Sequence, residues 1–256
     1  MSKRSPQELA GSARHWRSAA HYRSLLLTDR RGFAWEWLRR HPPYRKSWKN
    51  RDRPPEDFGL LAYEDPDHGL TKAKPIWAIA VDPWVLPSRP SREQPTSADD
   101  LLDVRQISEF VSVQIDECDV EHWLITDGCW SIRLDLHEGT LLGGPVMLQH
   151  FFHGFASAES KIHALRQLGA LVTCGSMPGR FLPQESRAAR WILELRTADA
   201  LATGASHQEM ARVFYRAADG CQPWRSAGDS YRLRIQRLVR VARQYLADPF
   251  AGPWFS

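Results

Sequence analysis

The C-terminal quarter of the chain carries apolar residues at helical spacing, and this pattern constrains the fold more than any other feature. Across residues 186–248 it predicts three helices separated by two breaks. Gly204 can supply the left-handed turn that ends the first helix. The apolar face of that helix is made of Ala188, Trp191, Ile192, Leu195, Ala198 and Ala202.

The second helix should begin at Ser206, directly after this turn. The Ser206 hydroxyl can accept the hydrogen bond of a helix N-cap, and Glu209 three residues later can reach back, which is a capping box. Met210, Ala211 and Phe214 supply its buried face. A helix, a tight glycine turn and a short capped helix predict the first half of a helix-turn-helix arrangement.

The third helix should start at Asp229 or Ser230 and continue to about Leu246. A projection at 100° per residue separates an apolar side from a basic side without an acid. The apolar side holds Ile235, Leu238, Val239, Ala242, Tyr245 and Leu246, and the basic side holds Arg232, Gln236, Arg237, Arg240, Arg243 and Gln244. Arginine can bond the two acceptors of guanine and glutamine can bond adenine, so this side suits a DNA major groove, although an ordinary solvated surface is the alternative.

Charge is concentrated in the same part of the chain. The whole sequence has a formal net charge of +4, whereas from Arg187 onward eleven Arg and no Lys stand against six acids, which gives +5. A GC-rich genome would explain the choice of Arg over Lys equally well. It would not explain why these residues share one helix face.

The rest of the sequence changes period along its length. Two helical patterns occupy residues 19–38 and should stop at Pro42 and Pro43. Residues 87–97 contain no large apolar side chain and predict a solvated connector. Strand-like runs follow at 110–115, 122–126, 129–136 and 146–155, with Asp127 and Gly128 forming a tight hairpin, and they predict a small antiparallel sheet.

These patterns predict an α+β fold with a small N-terminal helical domain, then a small antiparallel sheet, then a C-terminal three-helix helix-turn-helix unit. The expected segments are 1–86, an N-terminal Trp/Arg-rich domain; 87–100, a Pro/Ser-rich linker; 101–183, a hairpin and helix subdomain; and 184–256, the helix-turn-helix subdomain.

Several protein classes are disfavoured. The four cysteines, Cys118, Cys129, Cys174 and Cys221, are far apart, so neither a zinc knuckle nor a disulfide framework is predicted, and a reducing cytoplasm fits. No apolar segment suggests a signal peptide or a membrane span.

No catalytic site is predicted either. His150, His153 and Asp135 could form an acid/base or metal group, but a strand would point the two rings to opposite faces. Residues 64–68 are acidic but interrupted by Pro66, which favours a loop. Because the common nucleotide, nucleophile and zinc motifs are also absent, we expect no enzyme activity, no metal and no cofactor.

The sequence is also compatible with two other functions. Aromatic residues of the N-terminal segment, flanked by arginines, could stack the bases of RNA or single-stranded nucleic acid, or they could be core. A protein-binding adaptor could dock a partner through the C-terminal helices without touching DNA. The aromatic set is Trp16, Tyr22, Phe33, Trp35, Trp37, Tyr44 and Trp48.

The run TADALATGASHQEMARVFY, followed by SYRLRIQRLVRVARQYL, resembles the C-terminal helix-turn-helix domain of regulators common in rhizobia and other alphaproteobacteria. The segment HWRSAAHYRSLLLTDRRGFAWEWLRRHPPYRKSW is similar to the short transcriptional regulator domain that often precedes it. This pairing is that of FseA-type activators, which switch on excision of integrative and conjugative elements. The resemblance implies activation of an excision-factor promoter and regulation by small antiactivators built from the C-terminal domain alone.

The expected partners are therefore double-stranded DNA, RNA polymerase and a small antiactivator, in the bacterial cytoplasm on the nucleoid. A palindromic target would imply a homodimer. The long loop 216–228 departs from the short-turn form of the motif, and Arg225 within it could bind a phosphate. The predicted DNA contacts are Ser206, His207, Gln208, Arg212, Arg225, Arg232, Gln236, Arg237, Arg240, Arg243 and Gln244.

Overall fold

The computed structural model describes residues 15–215 and 229–256, which form two compact units. The first, here called the helical unit, has the sequence ranges Met1–Asn50, Asp65–Gly69 and Glu185–Trp254. The second, here called the sheet unit, has the ranges Arg51–Glu64, Leu70–Gln184 and Phe255–Ser256. Both units are discontinuous in sequence, whereas the four expected segments are consecutive.

From residue 15 onward, where the structure is described, the N-terminal part of the helical unit contains two α-helices, α1 (Arg30–Leu38) and α2 (Pro42–Asn50), after a 3-10 helix at Ala19–Leu27. Asp29 caps α1, because its Oδ1 accepts a hydrogen bond from Gly32 N at 2.8 Å. Helix α1 ends at Leu38, before Pro42 and Pro43, as expected, but the two prolines then open a further helix, α2, which was not predicted. Proline is tolerated in the first turn of a helix because the N–H it lacks has no partner there.

The C-terminal part of the helical unit contains the three predicted helices, α4 (Ala188–Ala202), α5 (His207–Tyr215) and α6 (Asp229–Ala247). Gly204 follows α4 with φ of +74°, as the left-handed turn requires. The capping box is confirmed: Ser206 N donates to Glu209 Oε2 at 2.8 Å, and Glu209 N donates to Ser206 Oγ at 3.2 Å. Of the predicted apolar face of α4, only Ala202 is exposed.

The sheet unit is built on six strands in the order β2-β6-β1-β5-β4-β3. The strands are β1 (Leu86–Pro90), β2 (Leu101–Leu102), β3 (Val111–Ile115), β4 (Glu121–Thr126), β5 (Ser131–Leu136) and β6 (Val146–His150). All neighbours pair antiparallel except β1 and β5, which pair parallel. The prediction of a purely antiparallel sheet was therefore wrong, and the fold is α+β with a mixed sheet.

The unpredicted strand β1 occupies the start of the segment expected to be a linker. Its sequence, LPSRP, contains two prolines, which cannot donate to a ladder. Pro87 nevertheless takes part through its carbonyl, which accepts from Phe151 N at 2.9 Å, and Ser88 O accepts from His137 N at 2.9 Å. Backbone carbonyls of β1 thus accept hydrogen bonds from both sides and stabilise a strand that the amino-acid composition does not predict.

The predicted hairpin joins β4 to β5, but its loop is longer than expected. Thr126 pairs with Ser131, so residues 127–130 form the loop, and Gly128 has φ of +96°. Asp127 Oδ1 accepts from Cys129 N at 2.7 Å, which stabilises the turn. A Cβ at Gly128 would lie 2.8 Å from the Leu70 carbonyl oxygen, so the position has no room for a side chain.

The strand predicted at 146–155 ends at His150, and residues 151–154 lead without regular structure into one long helix, α3 (Phe155–Cys174). Its buried side packs on the sheet through Ala164, Leu168 and Leu171, whereas Ile162 is 40% exposed. The sheet side of this core includes Leu86, Trp123, Ile125, Ile132, Leu134 and Leu136.

Candidate DNA-binding surface

Helix α6 has one buried side and one exposed side, as its sequence predicts. Ile235, Leu238, Val239 and Ala242 are buried. The predicted basic side is exposed along its whole length, from Arg232 to Arg243, which is about 16 Å at the rise of an α-helix. Its exposed residues are Arg232, Gln236, Arg237, Arg240, Arg243 and Gln244.

The arginines of this side differ from arginines such as Arg133, which pairs with an acid. Among the side chains described in residues 15–215 and 230–256, no carboxylate makes an ion pair with Arg232, Arg237, Arg240 or Arg243. Like charges three residues apart on a helix repel by a few tenths of a kcal/mol per pair. The side is therefore slightly unfavourable for the isolated helix and available for an anionic ligand.

Arg234, which is not among the predicted DNA contacts, lies at the edge of this side. Its guanidinium carbon is 5.9 Å from the ring centroid of Tyr215 and 5.7 Å from that of Tyr231. The two rings are 5.4 Å apart and join the end of α5 to the start of α6. The position of Arg234 beside these rings depends on the tertiary contact between the two tyrosines, so the sequence pattern alone does not indicate it.

Helix α5 presents a smaller polar surface. His207 and Arg212 are exposed, and Gln208 is half-buried. The Ser206 N–H and hydroxyl are both bonded to Glu209, so Ser206 defines where the helix begins. Those bonds, together with Arg17 at 3.3 Å, hold the pKa of Glu209 below its ordinary value. Arg225, another predicted contact, lies outside the described residues.

The N-terminal segment is anchored in the core beneath α5 and α6. Trp16 is fully buried there, and its carbonyl oxygen accepts from Arg196 Nε of α4 at 2.9 Å. Arg196 Nη2 also donates to Arg17 O at 3.2 Å. The remaining buried members of this cluster are Ala200, Met210, Ala211, Ile235, Leu238 and Val239.

A buried ion network also ties α1 to α4. Arg40 donates to Asp199 through Nε at 2.8 Å and Nη2 at 2.9 Å, and it also pairs with Glu36. Tyr22 Oη donates to Asp199 at 2.6 Å. Burial alone would raise both carboxyl pKa values, but Arg40 holds the pKa of Asp199 below its ordinary value, and Arg39 followed by Arg40 does the same for Glu36.

The aromatic residues considered for base stacking lie in the core of the helical unit. Trp16, Tyr22, Phe33, Trp35, Trp37 and Tyr44 are all buried, and Trp48 is half-buried. Phe33 and Trp191 have ring centroids 5.0 Å apart, and Trp37 and Tyr245 have theirs 5.1 Å apart. The buried faces cannot stack on bases, so these contacts serve packing.

The residues considered for an acid/base or metal group have separate surroundings. His150 Nδ1 lies 2.7 Å from Ser88 Oγ, and burial lowers the pKa of His150. Asp135 is bonded to His122 and Arg133. In the described residues, no three His, Cys, Asp or Glu side chains are grouped so that they could hold a metal. Every helix in the same residues is too short or too polar for a membrane span.

Formal charge differs in sign between the two units. The helical unit's ranges contain 23 Lys and Arg against 12 Asp and Glu, a net charge of +11. The sheet unit's ranges contain 11 Lys and Arg against 18 Asp and Glu, a net charge of −7. The α6 side thus belongs to a strongly basic unit, which favours association with a polyanion.

Comparison with known families agrees with this distribution. Residues 15–77 match a proteobacterial transcriptional regulator-like domain. Residues 154–248, which include α3 to α6, match the DNA-binding domain of a T6SS transcription factor. No protein with a curated description matches the chain. The two family matches indicate a DNA-binding transcription factor.

Proposed function

We propose that the chain is a sequence-specific transcriptional regulator that inserts α6 into the major groove of duplex DNA. One observation carries the proposal: the basic side of α6 is exposed and unpaired by acids in the described residues, within a segment that matches a DNA-binding family. A major groove about 12 Å wide admits one α-helix.

The position of each side chain around α6 suggests its role. Arg240 lies near the middle of the exposed side, with Gln236, Arg237 and Gln244 around it, so these four face the base edges. Arg232 and Arg243 lie toward one flank, where phosphates run. From α5, His207, Gln208 and Arg212 reach the backbone of the DNA, Ser206 fixes their helix, and Arg225 adds a phosphate contact.

The resemblance to FseA-type activators supports a more specific proposal about which process the regulator controls. We propose that it activates a promoter controlling excision or transfer of a mobile element, in the bacterial cytoplasm on the nucleoid, without catalysis. RNA polymerase and a small antiactivator are the proposed protein partners. A homodimer is proposed if the operator is palindromic.

The test is a double variant, Arg237→Ala with Arg240→Ala. Both side chains are exposed and α6 is packed through its other side, so the fold should persist. Loss of two groove contacts should cost about 2 to 6 kcal/mol of binding free energy. The operator comes from genome-wide chromatin precipitation with the wild-type protein, and affinity is then measured by fluorescence anisotropy at several salt concentrations.

The matched control is Arg92→Ala with Arg105→Ala, which removes the same charge from exposed positions of the sheet unit that lie outside both family-matching segments. The control should bind within about twofold of wild type, with an unchanged salt slope. If R237A/R240A bound the operator as tightly as the control, α6 would not read DNA. Failure of the wild type to occupy DNA at all would favour the adaptor function instead.

A further inference from the structure

The sheet unit ends in a strand whose outer edge has no partner. In the part of the chain that the structure describes, β3 pairs only with β4 and is the last strand of the sheet. Thr126 N donates to Phe110 O at 2.8 Å, and Asp116 N donates to Val120 O at 3.1 Å. The even-numbered positions therefore bond to β4, and the backbone N–H and C=O groups of Val111, Val113 and Ile115 point away from it.

This edge lacks the features that usually keep edge strands from pairing. The strand sequence VSVQI contains no proline and no charged residue. Val113 is 37% exposed and Ile115 is 50% exposed. An added strand would satisfy the outward backbone groups and bury these two apolar side chains.

The surroundings of the edge are acidic. No Lys or Arg occurs between Gln106 and Ile132, whereas six acids do. Four of them are exposed at the two ends of β3 and in the turn after it, in a unit whose formal net charge is −7. They are Glu109, Asp116, Glu117 and Asp119.

The same charges disfavour self-association through β3. In a two-fold symmetric antiparallel pair centred on Val113, Glu109 would face Glu117 of the second copy. Like charges directly opposite each other destabilise paired strands. A partner with cations at both ends of an apolar strand would meet acids instead, whichever direction it runs.

We propose that the β3 edge is a docking site for an extended basic segment of another protein, which adds to the sheet as a seventh strand. Its alternate apolar residues pack beside Val113 and Ile115, and its flanking Lys or Arg residues pair with Glu109 and Glu117. The helical unit's binding to DNA and the sheet unit's binding to protein would then use surfaces of opposite charge.

The probe is a fluorescein-labelled peptide, Lys-Lys-Val-Thr-Val-Thr-Val-Lys-Lys, titrated with the full-length protein at low salt. Two peptide controls keep the test independent of protein folding: one has Glu in place of every Lys, and one has N-methyl groups on alternate amides. The proposal expects saturable binding of the first peptide and binding at least about tenfold weaker for each control. Backbone amides in residues 110–116 should exchange more slowly in the complex.

The protein variants test the site directly. Val113→Lys with Ile115→Lys should weaken peptide binding at least about tenfold. Charged side chains on an edge strand disfavour the pairing of another strand, and the two lysines would also repel the basic peptide. Glu109→Gln with Glu117→Gln should weaken it severalfold and reduce its salt dependence. Ile79→Lys with Leu142→Lys, a matched pair of exposed apolar positions elsewhere in the sheet unit, should change binding by less than about twofold.

Any of four results would overturn the proposal. The first is that the wild-type protein does not bind the Lys peptide, and the second is that it binds the Glu peptide equally well. The third is that I79K/L142K weakens peptide binding as much as V113K/I115K does. The fourth is that the wild type sediments as a dimer and V113K/I115K as a monomer. The last result would assign the edge to a second copy of this chain.

Discussion

At the scale of single residues, Arg40 shows how much of the helical unit depends on one buried cation. Arg40→Met would leave Asp199 and Glu36 buried without their shared guanidinium. Breaking a buried pair from one side costs about 3 to 5 kcal/mol. We expect that loss in the free energy of unfolding, measured in urea by far-UV circular dichroism.

Arg30→Met is the matched control for Arg40→Met. Arg30 also pairs with an acid, Glu185 at 2.7 Å, but its side chain is 41% exposed. An ion pair whose cation is open to solvent is partly screened by water and contributes about 0 to 1 kcal/mol. Equal destabilisation by the two variants would show that burial does not set the strength of the Arg40 network.

His122 makes the stability of the sheet unit depend on pH. Burial lowers the pKa of His122, but Asp135 at 2.8 Å and Asp116 at 3.2 Å outweigh both burial and nearby Arg133, so the pKa is raised above its ordinary value of about 6.5. The charged ring stabilises the fold fully below about pH 6.5, and this stabilisation is lost as the pH rises through the raised pKa.

His122→Gln keeps a neutral donor and removes the charge, so it should destabilise the protein more at pH 5.5 than at pH 8.5. His150 supplies the contrast, because burial lowers its pKa. His150 contributes stability above about pH 6.5 that is lost as the pH falls through the lowered value. His150→Gln should therefore be less destabilising at pH 5.5 than at pH 8.5. Parallel pH profiles for the two variants in urea unfolding would refute at least one of the two assignments.

At the scale of elements, the capping box at Ser206 should set the stability of α5. Ser206→Ala removes the acceptor of Glu209 N and should cost about 1 kcal/mol, whereas Ser206→Thr keeps it and should be nearly neutral. Hydrogen exchange of the α5 amides measures the difference. Equal exchange in the two variants would mean that packing of Met210 alone holds the helix.

Elements whose signal is local could be predicted from sequence, and elements that depend on partners could not. The two sides of α6, the capping box and the Gly204 turn all follow from residues within a few positions of one another. Strand β1 does not, because its prolines and arginine are compatible with a strand only once β5 and β6 accept its geometry. Its parallel pairing with β5 therefore had no signal in the sequence.

The same distinction holds for the candidate site. Its main helix face could be predicted because the pattern repeats every three to four residues. Arg234 beside Tyr215 and Arg17 beside Glu209 depend on tertiary contacts, which a helical projection cannot show.

At the scale of the whole molecule, parts of both family-matching segments lie in the helical unit: residues 15–50 and 65–69 of the first and residues 185–248 of the second. Trp16 fills the core under α5 and α6, and Phe33 and Trp37 of α1 pack on Trp191 of α4 and Tyr245 of α6. Arg40 of the first segment is the ion partner of Asp199 in the second. The C-terminal helices therefore lack a large part of their core when the N-terminal segment is removed.

We accordingly expect that a fragment of residues 184–256, the segment predicted as the helix-turn-helix subdomain, will not unfold cooperatively by itself. Adding a fragment of residues 1–69 should restore helicity and operator binding, because it returns Trp16, Tyr22 and the α1 side chains to the core. Circular dichroism and fluorescence anisotropy during a titration of one fragment into the other would measure both effects. Trp16→Ala in the added fragment should weaken this complementation by about 3 to 5 kcal/mol, the usual cost of truncating a buried tryptophan. If residues 184–256 alone melted cooperatively and bound DNA as tightly as the full chain, the N-terminal segment would be an attachment to the DNA-binding helices and not part of their core.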